Sequence, residues 1–335
     1  MMKITIVGAG FCGLATAWHL LNHPQFQFAS IQIVDAKGIG GAASGIATGL
    51  LHPYVGGQAK LNLSGWEGFQ ATYELLQIAS RELKQSVFSD GAGILRIALS
   101  AKQLIDFQNC ALNHPMDVEW LTQEKILSWI PGIAPAPALW IKKGLIVYSS
   151  LYLRGLWNAC QKRGAQFQKQ HIHSLQEIEN NDYIILTMGA QTSLLPEFST
   201  LPLRVVKGQI LELAWPDTIP PLPVAVNSQA YIVMSKSKRT CLVGATYEKK
   251  FSSAEPEKEI AITEIMPKAQ AILPFLEKLP VVNSYAGLRG VGPKHLPFIH
   301  RFSSRHWILT GMGSKGLLYH ALMSKQLVKA IAKSI

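Results

Sequence analysis

Lys3-Ile4-Thr5-Ile6-Val7 is a short β-branched run of the kind that forms a buried parallel strand. The apolar positions that follow, Leu14, Ala17, Trp18 and Leu21, recur at helical spacing, and a second β-rich run, Ile31 to Val34, ends on Asp35. The pattern predicts strand, turn, helix and parallel strand within the first 35 positions, which is the start of an α/β fold. Further along, Gly93–Leu99 reads as a strand, Tyr152–Arg163 has helical spacing, and Pro216–Pro223 reads as a loop. No internal repeat is visible.

The turn between the first strand and helix is Gly8-Ala9-Gly10-Phe11-Cys12-Gly13. Each glycine has a physical task in a dinucleotide-binding turn. Gly8 permits the tight turn, Gly10 lets backbone approach a pyrophosphate, and Gly13 allows helix and strand to pack closely. The helix amino terminus offers N–H groups and a positive dipole end to phosphate. Asp35, at the end of the second strand, can accept hydrogen bonds from an adenosine ribose. Three glycines alone are weak evidence, but here strand, glycines, helix, strand and acid all occur in order. The motif does not separate NAD from FAD. The thiol of Cys12, inside it, reads as a small buried packer and not as a redox group.

Composition narrows the class. Of 335 residues, 48% are hydrophobic, 9% aromatic and only 16% charged, with no polar low-complexity tract, so the chain is not disordered. The stretch from Ile4 to Val34 carries no charged side chain apart from His19 and His23 and imitates a signal peptide. Its spaced glycines and the break at Asn22-His23-Pro24-Gln25 argue instead for buried strand, turn and helix, and no membrane span is expected. Cys12, Cys110, Cys160 and Cys241 lie far apart, in neither a zinc spacing nor a disulfide framework, so a cytoplasmic setting and no metal are expected. The net charge is +11, with 18 basic and eight acidic residues in 201–335 and no acidic residue after Glu277. A field so one-sided would draw an anionic substrate or a polyanion; the alternative is a solvated basic face without a partner.

The residues after Asp35 are more specific. Gly40-Gly41-Ala42-Ala43-Ser44-Gly45-Ile46-Ala47-Thr48-Gly49-Leu50-Leu51-His52-Pro53 resembles the flavin loop of the FAD-dependent glycine/D-amino-acid oxidase (DAO) family. Later segments match that family in the same order. Tyr183 to Ala190 is similar to the strand and glycine that return to the FAD, and Leu201 to Gln209 to the start of the substrate sheet. Ala230 to Met234 with Cys241 to Glu248 resembles its antiparallel hairpin, Gly287 to Ile299 its substrate-arginine segment, and Gly311 to Leu317 its loop at the flavin ring. Two branches fit best: glycine oxidases, and the FAD domain of the bifunctional enzymes that build the 5-methylaminomethyl-2-thiouridine of tRNA. The family often has Glu where Asp35 stands, and usually has Asp and Gly where Lys294 and His300 stand.

The resemblance implies a Rossmann-like FAD-binding domain of the GR2/DAO type with a mixed or antiparallel β-sheet substrate domain. Residues of about 1–80, 140–205 and 285–335 would form the first, discontinuous domain, and 81–139 and 206–284 the second. The implied cofactor contacts are Gly8, Gly10, Phe11, Cys12, Gly13, Asp35, Ala43, Ser44, Thr48, Gly49, Leu50, Ile172, Thr187, Gly189, Gly313, Ser314, Gly316 and Leu317. No cysteine lies in 285–320, so the FAD is expected to be non-covalent.

The flavin itself accepts a hydride from an amine substrate, and the protein must orient the C–H bond. A carboxylate on the substrate calls for a guanidinium fork, and Arg289 is the candidate; its alternative is a surface ion pair. Tyr231 offers a phenolic hydrogen bond to the same group, or is a half-buried strand aromatic. Lys315 offers charge beside the reduced flavin, or is a solvated loop lysine. His52, His295, His300 and His320 are acid–base candidates or ordinary packed histidines. Three functions stay open. One is removal of the carboxymethyl group from a tRNA wobble carboxymethylaminomethyluridine, with a separate methyltransferase completing the pathway. Another is oxidation of glycine or another small free amino acid. The third, of another class, is a flavin-binding protein with little turnover.

Overall fold

The computed structural model of the protein describes every residue of 1–335 except Asp90. The first strand, Lys3–Val7, lies between parallel partners Ser30–Asp35 and Tyr183–Leu186 in a six-stranded sheet. The order runs Phe298–Arg301, His306–Thr310, Tyr183–Leu186, Lys3–Val7, Ser30–Asp35, Gln166–Lys169, and only the Phe298–Arg301 edge is antiparallel. Both faces of this sheet are buried, which explains why its strands read as continuous apolar runs. Ile4, Ile6, Ile31 and Ile33 pack under the helices Phe11–Leu21, Gly65–Leu83, Ser149–Lys162 and Gly316–Ala332. Val7, Val34, Ile184 and Leu186 face a second cluster with Ile172, Leu175 and Phe198.

An eight-stranded sheet follows the order Val281–Val291, Arg204–Ala214, Thr240–Gly244, Tyr231–Met234, Ala225–Asn227, Ile94–Ile97, Ala138–Ile141, Val118–Leu121. It is antiparallel except where Ala225–Asn227 runs parallel to Ile94–Ile97. Leu211, Leu213, Ile232, Val243 and Leu95 pack with Ala261, Ile265 and Ala269 of the helix Lys258–Gln270. The opposite face turns toward the segment 43–52, through clusters that include Leu50, Ile94, Ala225 and Val233. That segment is held at its end by a small antiparallel pair, Leu50–Leu51 with Leu145–Ile146. The strand bearing Arg289, Val281–Val291, belongs to the eight-stranded sheet, and the segment after it returns to the six-stranded sheet. No helix of the described residues is long and apolar enough to cross a membrane.

Candidate cofactor and active site

The glycine turn is built by close approaches that side chains would block. Gly8 has φ +109, and a Cβ there would lie 2.6 Å from the Thr187 carbonyl oxygen. A Cβ on Gly13 would collide with the Gly8 carbonyl, and one on Gly10 would sit 2.7 Å from Ser44 Oγ. The helix Phe11–Leu21 begins with no side-chain cap from Gly10, leaving its amino end to other partners. One of these is Ser44, whose Oγ accepts from the Phe11 N–H at 3.2 Å.

Asp35 ties the turn together. Its Oδ2 accepts from Ala9 N at 2.8 Å, and its Oδ1 from Lys37 N and Gly38 N at 2.7 and 2.9 Å. A carboxylate oxygen has two acceptor positions, so Oδ2 retains one. Thr187, expected at the cofactor, sends its hydroxyl back to the carbonyls of Val7 and Gly8 at 3.0 and 3.1 Å. Ile172 is 3% exposed and packs in the core below the sheet. Burial pushes the Cys12 thiol up to about 12, so it stays a thiol at neutral pH.

On the other sheet, Arg289 and Tyr231 stand on strands separated by two others and are brought together over glycines. The register pairs Gly208 with Gly287, Ile210 with Gly244, and Gly244 with Tyr231. The Arg289 guanidinium lies over Gly208, where a Cβ would collide with it, and the Tyr231 hydroxyl lies over Gly244, 2.5 Å from where a Cβ would be. Tyr231 shares a hydrogen bond with Thr48. Burial of its hydroxyl raises its pKa, against the opposing pull of Thr48 and the Arg289 charge, so it remains a proton-bearing donor. Ala43 and Ile46 rest on Gly287, and Leu50 packs with Tyr231, Ile94 and Val233. Thus the 43–50 segment lies across the face that carries Arg289 and Tyr231.

The turn Gly311–Gly316 closes the same region. Gly313 N donates to Gly290 O at 2.8 Å, beside Arg289, and Gly290 also touches the Gly189–Ala190 backbone. Thr310 Oγ1 donates to Gly189 O at 2.9 Å. Gly316 approaches the Phe11 ring, and the buried Leu317 gives its carbonyl to Thr72 Oγ1 at 2.8 Å. Ser314 is exposed. Lys315 is half-buried at the cap of the helix Gly316–Ala332, off the sheet that carries Arg289 and Tyr231, and burial lowers its amine from the usual lysine value.

The histidines divide. His52 and His320 are buried and held neutral, pulled down to about 3 and about 4, in each case chiefly by burial; the Arg96 charge adds to it at His52. His295 and His300 are exposed. Among the described residues no group of three His, Cys, Asp or Glu is placed to hold a metal ion. Sequence reasoning overlooked Arg96. Its guanidinium, 3% exposed, donates to the Tyr54 and Gly56 carbonyls at 2.8 and 2.7 Å and so anchors the chain leaving the 43–52 segment. An arginine in the apolar run Gly93–Leu99 is the one signal that marked it.

A glycine cradle, a helix amino terminus without a side-chain cap from Gly10 and a carboxylate with acceptor capacity fit a dinucleotide. The family model for FAD-dependent oxidoreductases (DAO) matches residues 3–330. The chain belongs to the DAO family. That family is one of FAD-dependent oxidoreductases. It is similar to a glycine oxidase of Bacillus licheniformis, 24% identical over 92% of this chain and 86% of that one. It is also similar to the tRNA 5-methylaminomethyl-2-thiouridine biosynthesis bifunctional protein MnmC of Polaromonas sp., 24% identical over 96% of this chain but 55% of that protein. A third relative is the bifunctional protein ThiO/ThiG of Nostoc sp., 26% identical over 54% of this chain and 30% of its own length. The chain therefore spans about half or less of these two bifunctional relatives. The fold is that of a glycine oxidase from Geobacillus kaustophilus, with a TM-score of 0.82 at 20% identity, covering 99% of this chain and 95% of that one. An iminodiacetate oxidase from Chelativorans sp. also has a TM-score of 0.82, at 19% identity, covering 98% and 95%.

Proposed function

We propose that the protein oxidises a secondary amine that carries a carboxylate, and that the substrate is the carboxymethylaminomethyl group of a tRNA wobble uridine. The observation that carries the first half is Arg289 spread over Gly208 beside the Tyr231–Thr48 pair. A guanidinium fork binds both oxygens of a carboxylate, and the protonated Tyr231 donates a further hydrogen bond to it. FAD, when bound, supplies the acceptor for the hydride that leaves the carbon next to nitrogen. Gly8, Gly10, Gly13, Asp35 and Ser44 would hold its adenine-dinucleotide part. Ala43, Thr48, Gly49, Leu50, Gly189, Gly313 and Gly316 would line the rest, without a covalent link. The resulting imine takes up water and releases glyoxylate and the shortened amine. The functional units would then be the two sheets with their covering helices, the arginine strand lying in the substrate unit.

The second half rests on charge and likeness. Lys278, Lys294, Arg301, Arg305, Lys325, Lys329 and Lys333 are all exposed in the acid-free segment after Glu277, which suits RNA phosphates. A separate methyltransferase would complete the nucleoside. The second reading, a free small amino acid, is favoured by the match to 86% of the length of a glycine oxidase.

The test is anaerobic mixing of the yellow holoprotein with carboxymethylaminomethyl-modified tRNA, glycine, sarcosine and D-amino acids. Bleaching by tRNA, slowed steeply by added salt, is the expected result. Bleaching by glycine alone, insensitive to salt, would replace the tRNA reading by the second. Arg289→Ala is expected to slow bleaching by about 100-fold or more, because the carboxylate loses a bidentate charged partner. An unchanged rate would sink the carboxylate-handle assignment.

A further inference from the structure

His320 is fully buried in the helix Gly316–Ala332, one turn beyond the loop Gly311–Gly316. Its Nδ1 lies 2.9 Å from the Gly316 carbonyl oxygen. A carbonyl can only accept, so Nδ1 bears the proton. Its Nε2 lies 2.7 Å from the Tyr152 hydroxyl, and in a neutral ring that nitrogen has a lone pair, so Tyr152 donates. The order of donation is fixed: Tyr152 to His320, His320 to Gly316. Neither end titrates near neutrality. Burial pulls His320 to about 4 and holds Tyr152 well above its ordinary value.

This chain touches both glycine loops. The Phe11 ring, which follows Gly10, lies 5.1 Å from the His320 ring and 5.9 Å from the Tyr152 ring, centroid to centroid. The Gly316 turn comes up against that same ring. Behind it, Ser324 Oγ donates to Cys12 O at 3.2 Å and accepts from Thr16 Oγ1 at 3.1 Å, joining the same two helices farther down. Three helices therefore meet at one buried imidazole: Phe11–Leu21 through Phe11, Ser149–Lys162 through Tyr152, and Gly316–Ala332 through His320 itself.

We propose that His320 is a positioning residue for the cofactor loops: anchored to Gly316 at one ring nitrogen and to Tyr152 at the other, it holds the Gly316 carbonyl and the Phe11 ring in one geometry and so sets the spacing between the first glycine turn and the Gly311–Gly316 turn. The inference rests on the reading above that both turns hold FAD. Any apolar residue could fill the volume, but only a directional pair of hydrogen bonds selects one position of the turn along the helix axis. The tilt of the ring is the sensitive element. Without the Tyr152 hydroxyl, Nδ1–H still reaches the Gly316 carbonyl, but the ring is held at one nitrogen only and is free to tilt, and the turn with it.

The test compares wild type with Tyr152→Phe, His320→Asn and His320→Ala, all as holoproteins. The readouts are FAD bound per chain, the visible flavin spectrum, the flavin midpoint potential, and kcat and KM for the reducing amine. His320→Asn retains an N–H close to the position of Nδ1, whereas Tyr152→Phe removes one oxygen and leaves the packing intact. Tyr152→Phe and His320→Ala are expected to keep FAD, shift its spectrum and potential, and lower kcat roughly tenfold with little change in KM, as small misplacements in a preorganised site do. His320→Asn is expected to restore most of the wild-type spectrum and rate. If the spectrum and potential of Tyr152→Phe match wild type, the positioning role is refuted, whatever the melting temperatures do. Should His320→Ala not fold, the Tyr152→Phe comparison decides alone. A wild-type protein that binds no FAD would overturn the loop reading itself; a yellow wild type with unchanged variants overturns only the role of His320.

Discussion

Arg289 and Tyr231 owe their meeting to two residues without side chains. Gly208 lies under the guanidinium and Gly244 under the phenol, each on a strand between the two. Gly208→Ala is therefore expected to displace the guanidinium without unfolding the sheet. It should raise KM for a carboxylate-bearing amine by about tenfold, a loss of about 1.4 kcal/mol of binding. Anaerobic flavin reduction at varied substrate concentration measures this, and an unchanged KM would separate Arg289 from substrate binding. Both glycines are plain in the sequence, but their task depends on register, which no local pattern encodes. Asp35 shows the same limit. Its place at the end of the second strand was readable, whereas its three backbone N–H partners were not.

The strand Arg204–Ala214 presents different chemistry on its two faces. Lys207 and Gln209 share a face with the core residues Leu211 and Leu213. In the folded protein both are fully buried. Lys207 is ion-paired with Glu257 and lies 3.9 Å from Glu248, while Gln209 donates to Glu248 at 3.0 Å and accepts from Glu257 N at 2.6 Å. These carboxylates come from residues some 40 to 50 positions away, at the end of the hairpin and the start of the helix Lys258–Gln270. The cluster clamps the strand from behind while its other face meets Arg289. Removing one partner leaves a buried charge poorly compensated, so Glu257→Ala should destabilise the protein by about 3 kcal/mol. Thermal unfolding of the holoprotein gives the value. A shift near zero would mean that Glu248 alone suffices for Lys207.

At the scale of the molecule, two buried histidines and one half-buried histidine are held neutral. His19, His52 and His320 are pulled from 6.5 to about 4, about 3 and about 4, chiefly by burial. Below pH 6.5 the unfolded chain binds protons that the folded one refuses. The stability they contribute is complete above that pH and falls as the pH drops toward 4, by roughly 1.4 kcal/mol per pH unit for each. Scanning calorimetry between pH 7 and 4.5 should show the melting temperature decline, and His52→Gln should flatten part of the slope. An equal slope in the variant would place His52 in water.

The first 35 positions determined their own structure, because a parallel strand pair, its crossover helix and the glycine turn are all local and each requires particular residues. Residues 3–330 likewise carry the family in their motif order. What only tertiary structure decided is which distant residues share a surface. Arg289 reaches Tyr231 through strand order, Thr48 meets that tyrosine from another segment, and His320 faces Tyr152 across 168 positions. Contacts of that kind arise from packing the sheets and their helices together, where the partner of a buried polar group is whatever the fold brings beside it.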